Sequence, residues 1–195
     1  VYAVWDIRLL NGRERRTWMT HPKAIRLNNP LNGPDSATLL GDKPRFYRDF
    51  ADMIGREWID AAEATDDEVA AFLQRHPRVL VKPSQGEGGR GITTFTVDEI
   101  TDVAVWRATL VAENQSLIEE ILPQHEDMAR LYPGSVNTLR LITFRRADGS
   151  FHLIAAVLRI GNGGVVDNFA GGGMFTMLDD DGVAQWAGVD KNSNV

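Results

Sequence analysis

Apolar side chains recur every four residues from Phe46 to Ile54, and this period predicts an amphipathic helix. Asp42 precedes the helix as a capping residue, and Gly55 follows it as a terminator. A second helix is predicted to begin at the capping box 65–68, in which a Thr and a Glu stand three residues apart.

Short runs of apolar and β-branched residues predict strands in the middle of the chain, at 78–82, 92–97 and 116–122. The first run alternates weakly, so we expect it to be buried on both faces. A helix is predicted over 97–112. Segment 28–35, dense in Asn, Pro and Gly, is predicted to be a loop.

The C-terminal part of the chain is predicted to be mostly antiparallel sheet. Runs at 138–146 and 151–159 flank Asp148 and Gly149, a pair typical of hairpin turns. Three further strand-like runs follow, at 165–169, 174–178 and 183–187. Together with the helices before them, these runs predict the α+β class, with two lobes that meet at a cleft.

Composition narrows the classes of protein. The chain has 195 residues and a net charge of −6, which argues against a general nucleic-acid binder. It has no apolar run long enough for a membrane span. It has no Cys, which excludes disulfides and zinc–thiolate sites and favours a cytoplasmic protein.

A glycine-rich turn lies between two of the predicted strands. Glycine lets backbone N–H groups approach an anion closely, so the turn is a candidate phosphate flap. No helix follows it directly, which disfavours a dinucleotide fingerprint. The alternative is a hairpin loop without a ligand. The candidate residues are Ser84, Gly86, Gly88, Gly89 and Gly91.

Two lysines are candidate phosphate contacts. Lys82 ends the apolar run before the glycine-rich turn, where an ammonium needs an anionic partner. Lys43 lies in the first turn of a predicted helix, where backbone N–H groups also favour an anion. The alternative for Lys43 is an ordinary surface lysine.

Adjacent acids end the short apolar strand predicted from Ser116 to Ile118. Side chains of neighbouring strand residues point to opposite faces, so either Glu119 or Glu120 is expected to face a pocket while the other meets solvent. The alternative is that these charges protect an edge strand from aggregation.

Polar groups also interrupt the C-terminal strands. Arg140 and Arg159 stand on runs predicted to pair, and two guanidinium groups on one sheet face suit a phosphate or carboxylate. The alternative is a salt-bridge network with the acids at 179–181. Asp167 and Asn168 offer oxygen donors of the kind that Mg²⁺ prefers, although neighbours in a strand point apart.

The order of these motifs along the chain resembles that of ATP-grasp proteins. The resemblance is closest to the sugar-transfer associated ATP-grasp branch, which is related to alpha-L-glutamate ligase-like proteins. The similar segments are LGDK at 40–43, VKPSQGEGGRGI at 81–92, EEIL at 119–122, SVNTLR at 135–140, AAVLRIG at 155–161 and VDNFAGGG at 166–173. The resemblance implies an ATP-grasp fold, in which two α+β lobes enclose a nucleotide cleft.

The resemblance also implies a role for each residue. Lys43 and Lys82 are expected to contact the α- and β-phosphates of ATP, under a flap formed by the glycine-rich turn. The hinge from Glu119 through Glu120 to Ile121 is expected to pair with adenine through backbone groups and a carboxylate. Catalysis near the γ-phosphate is expected to involve Arg140 and Arg159, with Asn168 beside them.

Proteins of this kind bind ATP and Mg²⁺ and join a carboxylate to an amine or thiol through an acyl phosphate. The implied partners are therefore small carboxylate and amine substrates, with sugar- or peptide-linked ones included. A kinase-like phosphotransferase and a non-catalytic nucleotide-binding module are the alternatives.

One departure from the family's pattern concerns the metal. Similar proteins hold Mg²⁺ with a late acid and a Glu-x-Asn motif, and no such motif follows residue 173. We expect the metal ligands to lie beyond residue 195. We also expect 41–195 to be an ATP-grasp domain without its metal-binding strands, and 1–40 to be a segment left from a preceding domain.

Overall fold

A computed structural model describes residues 9–86, 91–192 and 194–195. The described residues form two compact units. The first contains 9–86 and 93–121, and the second contains 91–92 and 122–195 without residue 193. Mixed helices and sheets confirm the predicted α+β class.

Short helices begin the first unit: α1 Gly12–Thr17, α2 His21–Leu31, α3 Pro34–Gly41, α4 Lys43–Asp49 and α5 Ala51–Ile54. The loop predicted at 28–35 is wrong, because α2 and α3 cover most of it. Pro34 stands in the first turn of α3, where a missing N–H costs no hydrogen bond. Of the two prolines that favoured a loop, Pro34 therefore marks a helix start and Pro30 lies inside α2.

The helix predicted to begin after Asp42 is confirmed, with one interruption. The Asp42 side chain accepts a hydrogen bond from the Arg45 backbone N–H at 3.0 Å. Phe50 leaves helical geometry at φ −117° and separates α4 from α5. Gly55 ends α5 at φ +59°, a left-handed conformation that glycine adopts without strain.

A four-stranded antiparallel sheet organises the first unit in the order β1-β4-β2-β3. Its strands are β1 Trp58–Asp60, β2 Arg78–Lys82, β3 Thr93–Thr96 and β4 Leu117–Glu120. The helices packed in this unit's core are α6 Asp66–Arg75 and α7 Val103–Ala112. The capping box that predicted α6 is present at Thr65 and Glu68.

The apolar core lies on one face of this sheet. Val79, Val81 and Ile118 are buried there against Val69, Phe72, Leu73 and Leu110 of the two helices. The prediction that β2 is buried on both faces is wrong. Leu80 and Lys82, which lie on the other face, are only partly buried. The helix predicted over 97–112 is also shorter, because a 3₁₀ turn, Val97–Glu99, precedes α7, which Asp102 caps.

The second unit is built on a three-stranded antiparallel sheet in the order β5-β6-β7. The predicted hairpin is confirmed as β5 Thr138–Arg145 and β6 Phe151–Ile160, and β7 is Met174–Leu178. The short helix α8, Glu126–Ala129, precedes the sheet.

Two predicted strands of the second unit are not formed. Segment 165–169 is irregular and leads into a 3₁₀ turn, Phe169–Gly171, because the Asn168 side chain accepts from the Ala170 N–H. Segment 183–187 forms one isolated bridge, between Ala184 and Leu178. Among the helices of the described residues, none has the length and apolar character to cross a membrane.

Candidate functional site

A buried carboxylate is the centre of polar contacts in the first unit. Glu119 lies on β4 with 0% of its side chain exposed. The Tyr47 hydroxyl donates to its Oε1 at 2.8 Å. Arg56 Nη1 and Lys82 Nζ both donate to its Oε2, at 2.8 Å and 2.7 Å. We call these four residues the Glu119 cluster.

The strand register explains how the Glu119 cluster assembles. Leu80 of β2 pairs with Glu119 and Lys82 pairs with Leu117, so Lys82 and Glu119 share the sheet face opposite the apolar core. On the other side of β4, Trp58 of β1 pairs with Glu119. Tyr47 of α4 lies on this face too and meets the Trp58 ring edge to face at 5.3 Å.

Lys82 experiences opposing effects. Burial leaves 16% of its side chain exposed and lowers the pKa of its ammonium, and the positive charge of Arg56 lowers this pKa further. The charge and hydrogen bond of Glu119 raise it, but the net result is a pKa below 10.5. Burial, followed by the nearby charge of Glu119, raises the pKa of Tyr47, so its hydroxyl stays a neutral donor.

The Glu119 cluster carries one positive charge in excess when Lys82 is protonated, since two cations meet one carboxylate. Donors are also left over. Of the three N–H groups of Lys82, one has an acceptor among the described residues. Arg56 Nε is buried, and it also has no acceptor among the described residues. An anion would satisfy both the charge and the donors.

Lys43 ties the first turn of α4 to the start of the glycine-rich turn. Its Nζ donates to the carbonyl oxygens of Pro83 and Gly86, at 3.0 Å and 2.9 Å. Its backbone N–H donates to the Ser84 carbonyl at 3.0 Å. An isolated bridge between Asp42 and Gln85 continues the same pairing. Lys43 therefore lies beside the start of the turn, with its ammonium bound to two backbone carbonyls.

The glycine-rich turn is described at its two ends. Ser84 Oγ donates to Asn114 Oδ1 at 3.0 Å, which fixes the first end to the residues after α7. Gly86 and Gly91 have φ values of +107° and +70°, a region that favours glycine. Gly88 and Gly89, both predicted flap residues, lie outside the described residues.

Glu120 points to the opposite face from Glu119, as predicted for neighbouring strand residues. Its Oε1 accepts from the Glu57 backbone N–H at 3.1 Å, and its Oε2 lies 3.5 Å from His76 Nδ1. Ile121 follows the last residue of β4 and is half-buried. Protection of a sheet edge is not the role of these acids, because β4 is an inner strand.

An ion pair anchors the candidate arginine of the second unit. Arg159 Nη2 donates to Asp167 Oδ1 at 2.6 Å, and its Nε donates to Asp167 Oδ2 at 3.3 Å. Thr138 Oγ1 accepts from Arg159 Nε at 3.0 Å and donates to Asp167. The alternative network with 179–181 is wrong for Arg159, because Asp167 is its partner.

The β5–β6 register places both candidate arginines on one face. Thr138 pairs with Arg159 and Arg140 pairs with Val157, so Arg140 and Arg159 are diagonal neighbours. Arg140 is exposed, and no hydrogen bond or ion pair holds its guanidinium among the described residues. It is therefore free to meet a ligand, whereas Arg159 is fixed.

Asn168 and Asn137 have local structural roles in the second unit. Asn168 caps the 3₁₀ turn that follows it. Asn137 is buried, donates through Nδ2 to the carbonyls of Met128 and Tyr132, and accepts from the Gly161 N–H at 2.8 Å. Asn137 thus joins the segment before β5 to the end of β6.

Among the described residues, no three His, Cys, Asp or Glu side chains cluster in a way that could hold a metal ion. Asp167, a candidate oxygen donor by sequence, is occupied by Arg159 and Thr138. By contrast, the cations and spare donors of the Glu119 cluster suit a phosphate group.

Tyr47 and Arg56 are the members of the cluster that the sequence motifs did not identify. They lie 72 and 63 residues from Glu119, and neither belongs to a motif. The one indirect signal for these two residues was the position of Glu119 in an apolar run, because a carboxylate that is buried there requires hydrogen-bond donors.

The family model described as sugar-transfer associated ATP-grasp matches residues 24–195. This range includes every candidate site residue and parts of both units. No curated protein matches the chain.

Proposed function

Because the chain belongs to the sugar-transfer associated ATP-grasp family, we propose that it is an ATP-dependent ligase that joins a carboxylate to an amine or a thiol. Proteins of the family generally bind ATP and Mg²⁺. The proposed substrates are a small-molecule acid and a small-molecule nucleophile, either of which can be linked to a sugar or a peptide.

The excess positive charge of the Glu119 cluster is the observation that carries this proposal. A partly buried ammonium with spare donors lies at the end of β2, directly before the glycine-rich turn. Phosphoryl transfer depends mainly on positioning and on neutralising phosphate charge. A cluster that lacks one negative charge suits that task.

The proposed nucleotide contacts are the two lysines, the glycine-rich turn and the end of β4. Lys43 and Lys82 contact the α- and β-phosphates, and backbone N–H groups of the turn from Ser84 to Gly91 cover them. Adenine pairs with backbone groups of Glu120 and Ile121. The carboxylate of Glu119 serves Lys82 instead of adenine, because protein donors already bind both of its oxygens.

The proposed catalytic groups are Arg140 and Arg159. In the first step, an oxygen of the acid substrate attacks the γ-phosphorus, the bond to the bridging oxygen breaks, and ADP leaves. In the second step, the nucleophile attacks the acyl carbon, loses its proton, and phosphate departs. We expect the exposed guanidinium of Arg140 to bind the transferred phosphate, while Arg159, held by Asp167, supports the same sheet face.

ADP and phosphate release from Mg-ATP tests this proposal. We expect both products to form only when a suitable acid and nucleophile are present, and Lys82→Ala to reduce turnover by at least about 100-fold, as for a lost preorganised charge contact. Arg48→Ala is the matched control, because Arg48 belongs to an exposed pair with Glu63. Turnover that Lys82→Ala leaves unchanged would overturn the role of Lys82.

A non-catalytic nucleotide-binding module is the second candidate function. It is favoured by the lack of an acidic cluster within the described part of the chain. ATP binding without turnover across acid and nucleophile substrates would support it. A stable phosphorylated acceptor would instead indicate a kinase-like phosphotransferase.

A further inference from the structure

Arg56 and Lys82 share Glu119 as a hydrogen-bond acceptor, so the charge of each cation affects the other. Arg56 Nη1 and Lys82 Nζ donate to the same oxygen, Oε2, while Tyr47 occupies Oε1. The carboxylate is fully buried, whereas 28% of the Arg56 side chain and 16% of the Lys82 side chain are exposed. Any change at one donor therefore alters the hydrogen bonding and charge that the other experiences.

We infer that Arg56 and Tyr47 are positioning residues, which hold Glu119 so that its carboxylate orients the Lys82 ammonium for an anionic phosphate ligand. Arg56 has a second effect, since its charge leaves the cluster one negative charge short. The inference rests on the proposed function, because it assigns these residues to the nucleotide site of that proposal.

The groups around Lys82 come from four parts of the first unit. Glu119 faces it from β4, and Arg56 and Tyr47 reach the shared carboxylate from the segment before β1 and from α4. Asp60 of β1 lies in the same cross-strand row, beyond Leu117. Of the charged groups, Arg56 lowers the pKa of Lys82 and Glu119 raises it.

Removal of the Arg56 charge therefore has a defined sign. In Arg56→Gln, we expect the pKa of Lys82 to rise, so the loss of ATP binding at alkaline pH moves to higher pH. Below that pH, we expect ATP to bind about 10–100-fold more weakly, the range found when an outer partner that orients a ligand-binding group is lost. Arg56→Lys keeps the charge, so the alkaline loss is expected to stay in place.

Two measurements on the full chain test this inference. The chain has four lysines, Lys23, Lys43, Lys82 and Lys191, so lysine labelled with ¹³C at Cε gives few NMR signals, and Lys82→Arg identifies that of Lys82. Its titration reports the pKa without nucleotide. Calorimetric titration with Mg-ATP across the same pH range reports affinity. Arg48→Gln, in the exposed pair with Glu63, is the matched control.

The outcomes separate this inference from the proposed function. A raised Lys82 pKa and weaker ATP binding in Arg56→Gln alone would support the positioning role. Equal pKa values and affinities in Arg56→Gln and Arg48→Gln would overturn it while leaving ATP binding intact. A wild-type chain that does not bind ATP would overturn the proposed function, and with it the role of these residues in a nucleotide site.

A second variant covers the case in which Arg56→Gln does not fold. Tyr47→Phe removes one hydroxyl and no charge, so we expect weaker ATP binding with an unmoved alkaline loss. Unchanged ATP affinity in Tyr47→Phe would overturn the positioning role of Tyr47.

Discussion

Lys82 is the residue in which structure and proposed chemistry meet most closely. Its ammonium is held by Glu119 at 2.7 Å, yet burial lowers its pKa. Protonated Lys82 is therefore less favourable in the unliganded protein than in water. A phosphate beside it would reverse this, because a negative charge favours the protonated amine.

This lowered pKa makes stability depend on pH with a definite sign. Between the folded pKa of Lys82 and 10.5, the unfolded chain binds the proton and the folded chain does not, so unfolding free energy rises with pH. We expect the unfolding free energy of the wild type, minus that of Lys82→Met, to increase through this window by at most about 1.4 kcal/mol per pH unit. Urea denaturation at a series of pH values measures it.

Lys82→Arg serves as the control for the ion pair. It retains a cation beside Glu119 but does not lose its proton in this range, so the wild type should gain stability relative to it in the same window. A difference that stays constant or falls with rising pH would contradict the lowered pKa.

At the scale of elements, predictions based on local chemistry succeeded. The capping box at Thr65 and Glu68 and the hairpin turn at Asp148 and Gly149 depend on residues within a few positions of one another. The loop predicted at 28–35 was wrong for a related reason. Pro and Gly occur both in loops and at helix ends, and composition alone does not distinguish a loop from a helix end.

The candidate site was predictable only in part. Lys82 and Glu119 were identified because polar groups within apolar strands need partners. The contacts of Glu119 with Tyr47 and Arg56 depend on sheet register and join residues more than 60 positions apart in sequence. Local sequence patterns do not encode such contacts. Asp167 was not predicted as the partner of Arg159, because segment 165–169 was expected to be a strand and instead folds as a loop that brings Asp167 to Arg159.

That loop depends on a close backbone approach at Gly173. A Cβ there would lie 2.6 Å from the Asp167 carbonyl carbon and 3.0 Å from the Ile160 oxygen, both backbone atoms that cannot turn aside. We expect Gly173→Ala to lower the unfolding free energy by about 1–3 kcal/mol, the usual cost of overpacking. Denaturant melts measure this loss.

Gly164→Ala is the matched control in the same unit, because a Cβ at Gly164 meets no atom within 4 Å. Its effect should stay within about 0.5 kcal/mol. Equal stability of the two variants would show that Asp167 moves away without cost.

At the scale of the whole molecule, the net charge and the candidate phosphate contacts have opposite signs. The chain carries a net charge of −6, yet the candidate phosphate contacts are cations: Lys43, Lys82, Arg140 and Arg159. The acidic balance argues against a general attraction to polyanions, which would require a basic protein.

The family match covers residues 24–195, which include all of the candidate phosphate contacts. Lys43, Lys82 and the glycine-rich turn begin in the first unit, and Arg140 and Arg159 belong to the second. The central claim is therefore that this chain binds Mg-ATP and that Lys82 contacts its phosphates.

Thermal melting with and without Mg-ATP tests that claim most directly, on the wild type, Lys82→Ala and the control Arg48→Ala. A ligand at about 100 times its Kd stabilises a protein by roughly 2.7 kcal/mol. For a chain of this size, that corresponds to a rise in Tm of about 5–11 °C. We expect the rise in the wild type and in Arg48→Ala, and its loss in Lys82→Ala. An unchanged wild-type Tm, or an equal rise in Lys82→Ala, would contradict the claim.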